Sequence, residues 1–369
     1  MVHKAERGLF ELRQGRALYV TDPGSSALVA AVEGLTVDRL AQLRELGMDL
    51  RVVVTHHRGH AMGLPNGGPP RHLSIALGPA ATPASIQRLA TALRPTGHVE
   101  ARPATSAEAA GLALARLGQL LPTVVSMAPD PMRVARLLEW MSDATVLDVS
   151  ATEVEALVTT PAIEVTHVAE ATVPLRDAES ARFIFFREGN GFVQHVAITI
   201  GERAEWPDPL PVRVHSACLT GDIFGSLRCD CGEQLHGCLS YFAERGGGVL
   251  VYLAQEGRGI GLGNKLRAYA LQQEGLDTVD ADGTLGFGAD ERRYDAAVAI
   301  LRHLEVERVQ LLTNNPDKLH AVQEAGMTVV DRKPLHGRLN PHNARYVHAK
   351  VHRSGHWLMD MINQGIAGD

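Results

Sequence analysis

The cysteines of this chain are grouped in a way that suits a metal ion. There are four, Cys218, Cys229, Cys231 and Cys238, all within 21 residues. A secreted disulfide protein spreads its cysteines to link distant segments, so this clustering favours a metal site in a reducing compartment. The Cys229-x-Cys231 spacing requires a tight turn, to which the loop after Cys218 can return a third thiolate. Thiolates suit zinc, and three of them leave a fourth coordination position open, as in a catalytic zinc site.

A fourth protein ligand would close this site and make it a structural one. Cys238 and His236 are the candidates for that ligand. Cys238, however, falls in an apolar helical pattern, which predicts a buried core thiol. We therefore favour a metal site made of the other three cysteines, and a structural site closed by Cys238 or His236 is the alternative.

Residues that suit an anion lie next to the cysteines. Arg213, His215 and Ser216 come just before the first cysteine, and Arg228 comes just before the second. Two arginines beside a metal could hold an acidic substrate through paired hydrogen bonds. A surface ion pair is the commoner role of a single arginine.

Two predicted strand-to-helix turns carry further hydrogen-bond donors. Residues 256–261 have the sequence EGRGIG, whose glycines let backbone N–H groups approach an anion at a helix N-terminus. Thr313 and Lys318 flank the second turn, where hydroxyl, amide and ammonium groups again suit phosphate. Simple helix capping by Thr313 or Asn314 explains this second turn equally well.

Asp290 and Arg292 stand two residues apart at a predicted helix start. An acid at that place interacts well with the helix dipole and could serve only as a cap. If the pair faced a metal-activated water, it could instead supply a general base and a cationic or nucleophilic partner.

The elements that would position these residues alternate between strand and helix. We predict strands at 249–253 and 307–312, and helices at 264–274 and from Asp290 onward. The last of these helices has an apolar face made of Tyr294, Ala297, Val298, Leu301 and Leu304. The alternation predicts an α/β layered domain. Residues 148–200, rich in Val, Thr, Ile and Phe, are predicted to be strands joined by turns.

Composition limits the functions that remain. A chain of 369 residues suggests two domains, at about 150 residues each. The net charge of −6 gives no global basic field, and 5% aromatic residues argue against base stacking, so we expect no nucleic-acid partner. No apolar run is long enough to span a membrane, and the first residues lack the apolar stretch of a signal peptide. We therefore expect a soluble cytoplasmic protein without membrane association.

Four sequence blocks resemble a known enzyme family. They are RVHSACLTGDIFGSLRCDCG (213–232), QEGRGIGLGNKLRAYALQ (255–272), LGFGADERRY (285–294) and LLTNNPDK (311–318). Together they resemble GTP cyclohydrolase II, in the order of that family, across about residues 160–355. The resemblance implies an α/β (α+β) protein of two domains, in which residues 156–369 form a layered αβα domain with a mixed sheet.

The resemblance implies a reaction, the first step of riboflavin biosynthesis. Enzymes of this family hydrolyse GTP to formate, pyrophosphate and 2,5-diamino-6-ribosylamino-4(3H)-pyrimidinone 5′-phosphate. Zinc would be held by Cys218, Cys229 and Cys231, and its bound water would attack the imidazole ring. Mg²⁺ held by the triphosphate and a homodimer are also implied.

The same resemblance implies roles for individual residues. Asp290 matches the proton acceptor, Arg292 matches the proposed nucleophile at the α-phosphorus, and Tyr269 matches a tyrosine of the catalytic step. The residues that match GTP contacts are Arg213, Val214, His215, Ser216, Ala217, Gln234, Glu256, Gly257, Arg258, Thr278, Thr313 and Lys318.

Two positions depart from the family pattern. The family usually has Glu before the first zinc cysteine and Arg or His before QEGR, whereas this chain has Ala217 and Ala254. A ring-opening hydrolase for another purine or pyrimidine, or a non-catalytic GTP-binding homologue, is therefore the alternative. The zinc cysteines, Asp290, Arg292 and Lys318 are all present, so GTP hydrolysis is the leading hypothesis.

Residues 1–155 resemble, more faintly, 3,4-dihydroxy-2-butanone 4-phosphate synthase. ERGLFELRQGRALYVTD (6–22) is similar to the opening helix and strand of that enzyme, and TSAEAAGLALARLG (105–118) is similar to its GHTEA helix. The acidic metal loop is replaced by PGSSA (23–27), and the metal histidine is replaced by Ser106. Without those ligands its Mg²⁺ chemistry should be absent. We expect a non-catalytic domain with a structural or dimer-forming role.

Overall fold

The computed structural model describes residues 3–64, 70–93, 99–159, 163–189, 193–359 and 362. The chain divides into two units. The first consists of Met1–Thr160 and Gly263–Glu291, and the second consists of Pro161–Leu262 and Arg292–Asp369. A segment from the second half of the chain thus packs with the N-terminal residues. The predicted division at residue 155 places Gly263–Glu291 in the C-terminal domain, whereas in the structure this segment belongs to the first unit.

Helices and strands follow one another along the chain. Among the described residues the strands are β1 Leu18–Asp22, β2 Ser25–Ala31, β3 Gly47–Val54, β4 Leu73–Ala76, β5 Ala101–Pro103, β6 Thr123–Pro129, β7 Leu147–Ser150, β8 Val165–Thr172, β9 Ala181–Glu188, β10 Gln194–Ile200, β11 Leu210–Ser216, β12 Gly248–Leu253, β13 Arg308–Leu312 and β14 Thr328–Lys333. The α-helices are α1 His3–Arg13, α2 Val37–Leu46, α3 His56–Ala61, α4 Pro83–Thr91, α5 Ser106–Leu117, α6 Val134–Ser142, α7 Ala151–Thr159, α8 Leu219–Asp222, α9 Cys231–Glu244, α10 Leu262–Gln273, α11 Thr278–Leu285, α12 Asp295–His303, α13 Pro316–Glu324 and α14 Ala344–Ser354. Within these ranges no helix combines the length and the apolarity needed to cross a membrane.

The second unit is built on a mixed sheet, with seven strands in the described part of the chain. Their order is β14-β13-β11-β12-β10-β9-β8. Strand β11 is parallel to β12 and β13, and β13 is parallel to β14, whereas β12, β10, β9 and β8 are antiparallel neighbours. The carboxyl ends of the parallel strands therefore meet at one edge of the sheet, which is where open α/β sheets bind ligands.

Helices cover both faces of this second sheet. Helix α9 packs on one face, where Cys238 and Phe242 join a buried cluster with Leu250 of β12. Helix α12 packs on the other face, where Ala297 joins a cluster with Val251, the next residue of β12. Successive residues of a strand point to opposite faces, so the sheet lies between two helical layers. This confirms the predicted layered αβα architecture with a mixed sheet.

The first unit is built on a second mixed sheet, again with seven strands among the described residues. The strand order is β5-β4-β3-β6-β2-β1-β7, in which β1 and β7 are parallel and the other neighbours are antiparallel. One apolar cluster lies between the β1–β2–β7 end of the sheet and helices α1, α5 and α7. Both units therefore belong to the predicted α/β class.

The prediction of strands throughout residues 148–200 is wrong for Ala151–Thr159, which form α7. A capping box starts this helix. The Ser150 hydroxyl accepts a hydrogen bond from the Glu153 N–H at 3.2 Å, and the Glu153 carboxylate accepts one from the Ser150 N–H at 3.2 Å. The motif S-x-x-E before an apolar helical run is a local sequence signal for a helix start.

The helix predicted to begin near Asp290 begins at Asp295 instead. The carbonyl of Arg293 accepts a hydrogen bond from the Gln255 side chain, which takes the place of a helical bond at that carbonyl. Asp290 and Arg292 therefore lie in the non-helical segment before the helix. The predicted apolar face is confirmed, because all of its residues are buried: Tyr294, Ala297, Val298, Leu301 and Leu304.

Candidate functional site

Three sulfur atoms meet at the carboxyl end of β11. Cys218 follows this strand, and Cys229 and Cys231 lie at the start of α9. Their Sγ atoms all lie within 4.8 Å of one another, and those of Cys218 and Cys229 are 3.7 Å apart. Two thiolates on one tetrahedral zinc ion lie about 3.8 Å apart, given Zn–S bonds of about 2.3 Å. The spacing of the sulfurs therefore fits a zinc ion.

Gly221 makes the room that these sulfurs need. A Cβ atom at this position would lie 2.7 Å from Cys229 Sγ and 3.1 Å from Cys218 Sγ. Both distances are shorter than ordinary contacts, so any larger residue here would push the sulfurs apart. Glycine at this place is thus part of the cradle that holds the thiols together.

Neither candidate for a fourth ligand belongs to this group. Cys238 is fully buried in the α9 core, and its thiol donates to the Leu235 carbonyl at 3.1 Å. Burial raises the pKa of the Cys238 thiol to about 12. His236 is exposed and pairs with Asp177 at 2.7 Å. The prediction of Cys238 as a core thiol is confirmed, and within the described residues the cluster holds three ligands.

The three sulfurs are crowded in a way that opposes ionisation of the thiols of Cys229 and Cys231. The neighbouring Cys218 sulfur, together with burial, raises the pKa of the Cys229 thiol to about 11. The pKa of Cys231 is also raised, by Cys218, by Cys229 and by burial. Because adjacent negative charges repel, a divalent cation bound between these sulfurs would favour their thiolate forms.

Asp222 connects the first cysteine to the neighbouring strands. Its carboxylate accepts hydrogen bonds from the Cys218 N–H at 2.9 Å and from the Tyr252 hydroxyl at 2.8 Å, and it lies 3.2 Å from His215 Nε2. The His215 ring also stacks on Tyr252, with centroids 5.6 Å apart. Sequence analysis missed Asp222 and Tyr252, although Asp222 lies only four residues after Cys218.

A buried polar chain connects the other two cysteines to β11 and α14. Asp230, which stands between them and has 0% exposure, lies 3.1 Å from Lys350 Nζ and accepts from Gln234 Nε2 at 2.6 Å. The Gln234 oxygen in turn accepts from Arg213, whose other nitrogen donates to the Leu312 carbonyl at 2.9 Å. We call Asp230, Gln234, Arg213 and Lys350 the Asp230 cluster. Sequence analysis missed Lys350, which is 120 residues away from Asp230.

Buried polar atoms without a partner gather at the end of β11. Within the described residues, Arg213 Nε, His215 Nδ1 and Ser216 Oγ are buried and make no hydrogen bond. Buried donors and acceptors are almost always satisfied in native proteins, so such a group indicates a place for a polar ligand. All three belong to the predicted GTP contacts.

The glycine-rich turn after β12 has an unusual backbone. Gly257 and Arg258 both adopt left-handed conformations, with φ of 63° and 60°. A left-handed arginine is uncommon and marks local strain, which clusters at binding sites. The Glu256 carboxylate accepts a hydrogen bond from the Leu219 N–H at 2.6 Å, so this turn is joined to the segment that follows Cys218.

Lys318 and Arg292 approach the same tyrosine. Lys318 Nζ donates to the Val214 carbonyl of β11 at 2.9 Å and lies 5.8 Å from the Tyr294 ring centroid. The Arg292 guanidinium lies 5.9 Å from that centroid. Thr313 accepts from the Asn315 N–H at 3.0 Å, while Asn315 caps α13. Capping is thus supplied by Asn315, and Lys318 extends from α13 to the end of β11.

The two alanines that depart from the family pattern have backbone roles. The Ala217 N–H donates to the Leu253 carbonyl at 2.8 Å, continuing the pairing of β11 with β12. The Ala254 N–H donates to His195 Nδ1 at 3.1 Å, and Nε2 of this buried histidine lies 2.9 Å from Glu188. An imidazole from β10 therefore stands beside Ala254.

Three predicted site residues belong to the first unit. Tyr269 is half-buried on α10, Thr278 is the first residue of α11, and Asp290 is exposed after α11. The cysteines, Arg292 and the other predicted GTP contacts belong to the second unit. Within that unit, the structure brings the cysteines, the β11 residues, Gln234, the 256–258 turn and Lys318 to the carboxyl edge of one sheet.

Comparison with known proteins decides the family. The sequence model of a family described as GTP cyclohydrolase II matches residues 166–334. A protein named GTP cyclohydrolase-2 from Xylella fastidiosa (strain Temecula1) is 39% identical over 357 residues, which cover 96% of this chain and 87% of that protein. This chain belongs to the GTP cyclohydrolase II family. It is an enzyme of that family, and the similarity extends along both units.

Other relatives agree with the GTP cyclohydrolase II assignment. A GTP cyclohydrolase-2 from Azospirillum brasilense is 39% identical over 360 residues, covering 95% of this chain and 93% of that protein. A Parabacteroides distasonis protein named riboflavin biosynthesis protein RibBA is 40% identical over 272 residues, covering 72% of this chain and 64% of that protein. A solved two-domain 3,4-dihydroxy-2-butanone 4-phosphate synthase from A. baumannii aligns with 90% of this chain and 99% of that chain, at 17% identity and a TM-score of 0.35. That similarity is too low to assign the first unit.

Proposed function

We propose that this enzyme hydrolyses GTP to 2,5-diamino-6-ribosylamino-4(3H)-pyrimidinone 5′-phosphate, formate and pyrophosphate, as the first step of riboflavin biosynthesis. The observation that carries the proposal is the group of three cysteine sulfurs beside buried polar atoms that lack partners, in a chain of the GTP cyclohydrolase II family. The Parabacteroides relative, named for riboflavin biosynthesis, supports the pathway.

Cys218, Cys229 and Cys231 would hold one zinc ion, which supplies Lewis-acid activation of water. Asp222 fixes the backbone at Cys218, and Asp230 fixes the turn between the other two cysteines. Asp290 accepts the proton that the attacking water loses, and Tyr269 assists this step. Ring hydrolysis then releases carbon 8 of the purine as formate.

Basic side chains would bind the triphosphate and release pyrophosphate. Arg213 and Lys318 are buried at the carboxyl edge of the sheet, where they attract the phosphate oxygens of the Mg²⁺-bound triphosphate. Arg292 attacks the α-phosphorus through a guanidine nitrogen that gives up one proton, so a nitrogen–phosphorus bond forms while the bond to the β-phosphate oxygen breaks, and pyrophosphate leaves with that proton. Water then cleaves the nitrogen–phosphorus bond.

The remaining GTP contacts surround these groups. They are Val214, His215, Ser216, Ala217, Gln234, Glu256, Gly257, Arg258, Thr278 and Thr313. The predicted role of the glycine-rich turn as an N–H donor site is not what the structure has, because the Gly257 N–H donates to Glu256 Oε1 at 2.9 Å and the Gly261 N–H donates to the Glu256 carbonyl at 2.9 Å. The unpartnered atoms of His215 and Ser216 offer hydrogen bonds to the base or the ribose. We also propose that the enzyme acts as a cytoplasmic homodimer without a nucleic-acid or membrane partner.

The test is product formation from GTP by purified zinc-loaded enzyme with Mg²⁺. We expect formate and pyrophosphate in equal amounts. Asp290→Asn should lower kcat for formate release about 100- to 10,000-fold, the usual contribution of a general base, while GTP binding persists. Two results would reject the proposal: GTP bound but unchanged, or faster ring opening of another purine or pyrimidine, which Ala217 and Ala254 would then explain.

A further inference from the structure

We propose that residues of the N-terminal half position the segment Gly263–Glu291 for catalysis, with Arg116 of α5 as the positioning residue that contacts the neighbour of Asp290 in the chain. The inference rests on the proposed function, because this segment carries Tyr269, Thr278 and Asp290. The segment lies inside the region that matches the cyclohydrolase family, yet it packs within the first unit. The N-terminal half thereby becomes part of the cyclohydrolase machinery.

The contact nearest to Asp290 along the chain is the ion pair between Arg116 and Glu291. Arg116 Nη2 lies 2.8 Å and 2.7 Å from the two carboxylate oxygens of Glu291. Gly288 N–H donates to the same carboxylate at 2.7 Å. Glu291 stands between Asp290 and Arg292 in the chain, so holding its side chain fixes the backbone from which the proposed base extends.

A second group of contacts holds the residues just before Asp290. Arg58 of α3 is fully buried and donates to the Thr284 carbonyl at 2.9 Å, at the end of α11. The Thr55 hydroxyl donates to the Gly286 carbonyl at 2.6 Å. Gly286 has a φ of 98°, and a Cβ there would lie 3.0 Å from Thr55 Oγ1 and 3.1 Å from Pro122 Cγ. The chain is therefore held tightly where it leaves α11.

A third group holds α10, which carries Tyr269. Asn264 Nδ2 donates to the Gln119 carbonyl at 3.0 Å, and Arg267 Nη1 lies 3.1 Å from the Glu33 carboxylate. The N-terminal half thus contacts the segment at both of its ends. Misplacing a catalytic group by about 1 Å can lower the reaction rate by roughly 100-fold. These contacts therefore matter for kcat more than for GTP binding.

The experiment replaces Arg116 by Met in the full-length enzyme loaded with zinc. We expect kcat for formate release to fall about 10- to 100-fold, while KM for GTP and zinc content stay within about threefold of wild type. Arg116→Lys, which keeps a donor for Glu291, should recover part of the loss. Glu291→Gln should resemble Arg116→Met, and the double variant should be no worse than either, because both break one interaction.

A matched control is Arg136→Met. Arg136 is an exposed arginine of the same unit whose pairing with Glu139 spans 3.7 Å at the surface. It should leave kcat unchanged. Hydrogen–deuterium exchange supplies a measurement that does not depend on turnover: Arg116→Met should speed exchange in residues 286–291 and not in residues 218–231.

The outcomes separate this inference from the proposed function. Wild type that makes no formate overturns the proposed function, and faster exchange in residues 286–291 then still supports the positioning contact. Arg116→Met with normal kcat, or with normal exchange in residues 286–291, overturns the positioning role. Losses that add fully in the double variant overturn it as well.

Discussion

Each unit buries a carboxylate beside a cation, and the two carboxylates differ in where their hydrogen bonds lead. Glu108 of the first unit is 2% exposed, and Asp230 of the second is 0% exposed. Burial opposes the ionisation of both groups. Burial is the largest single influence on each carboxyl pKa, but the cation and the hydrogen bonds together outweigh it and lower the pKa. Arg102, Thr105 and Ser74 act on Glu108, and Lys350 acts first on Asp230.

The hydrogen bonds around Glu108 end on the framework of the first unit. The hydroxyls of Ser74 in β4 and Ser126 in β6 donate to it at 2.9 Å and 3.1 Å, and the Thr105 N–H donates at 2.8 Å. We call these residues, with Arg102, the Glu108 cluster. Its members satisfy one another and cross-link α5 to the sheet.

The hydrogen bonds around Asp230 lead instead to a buried atom that makes no hydrogen bond among the described residues. Asp230 stands between two cysteines of the candidate metal site, and its chain of contacts ends at Arg213, whose Nε makes no hydrogen bond within the described residues. The comparison teaches that burial of charge does not by itself mark a site. The site is marked by a buried hydrogen-bond network that ends in polar atoms without a hydrogen-bond partner in the described part of the chain.

The largest expected effect is that of Cys229→Ser, in the candidate metal site next to the Asp230 cluster. We expect zinc to be lost and formate release to fall about 1,000-fold or more, because Lewis-acid activation of water contributes several kcal/mol to catalysis. Metal analysis and a formate assay measure both changes. The matched control is Cys238→Ala, which should keep zinc and turnover. If Cys229→Ser retained its metal, the three-sulfur site would be wrong.

A smaller effect is expected from Lys350→Met, which leaves Asp230 buried without its cation. Side chains that orient metal ligands contribute about 10- to 100-fold to metal affinity or activity, and we expect a loss of that size in zinc affinity. The double variant Asp230→Asn with Lys350→Met removes both charges and should recover stability, because an uncompensated buried charge costs about 3–5 kcal/mol.

The matched control for Lys350 is Lys4→Met. Lys4 pairs with Asp148 at 2.7 Å, but both side chains are nearly half exposed, so its loss should cost less than about 1 kcal/mol. Competition with a zinc chelator measures the affinity of each variant. Wild-type zinc affinity in Lys350→Met would remove the distinction between the Asp230 cluster and an ordinary ion pair.

The features that could be predicted from the sequence are those set by residues close together in the chain. The cysteine group followed from residue type and short spacing, and the apolar face of α12 followed from its periodicity. Lys350 could not be found in this way, since its partner lies 120 residues earlier and neither residue has a local signal. The helix start predicted at Asp290 is wrong for a similar reason. The Gln255 side chain, which binds the Arg293 carbonyl, comes from a separate loop and leaves no signal in the sequence near Asp290.

The smallest effect on activity is expected from Glu108→Gln, which tests the Glu108 cluster. We expect a loss of about 1–3 kcal/mol in the free energy of unfolding, because the amide cannot accept all the hydrogen bonds of the carboxylate. Formate release should stay at the wild-type rate. Urea denaturation and the formate assay measure the two quantities, and a drop in kcat at unchanged stability would make Glu108 functional and break the comparison.

The pH dependence of that stability difference sharpens the same test. The folded-state pKa of Glu108 is lowered, so its stabilising contribution is complete above the ordinary carboxyl pKa of about 4.3 and is lost as the pH falls through the folded value. The gap in unfolding free energy between wild type and Glu108→Gln should therefore be full at about pH 6 and should narrow as the pH falls below about 4. A gap that widened toward acid would mean that burial, rather than Arg102 and the hydrogen bonds from Thr105 and Ser74, controls this carboxyl. The Glu108 cluster would then fail to stabilise the charge at its centre.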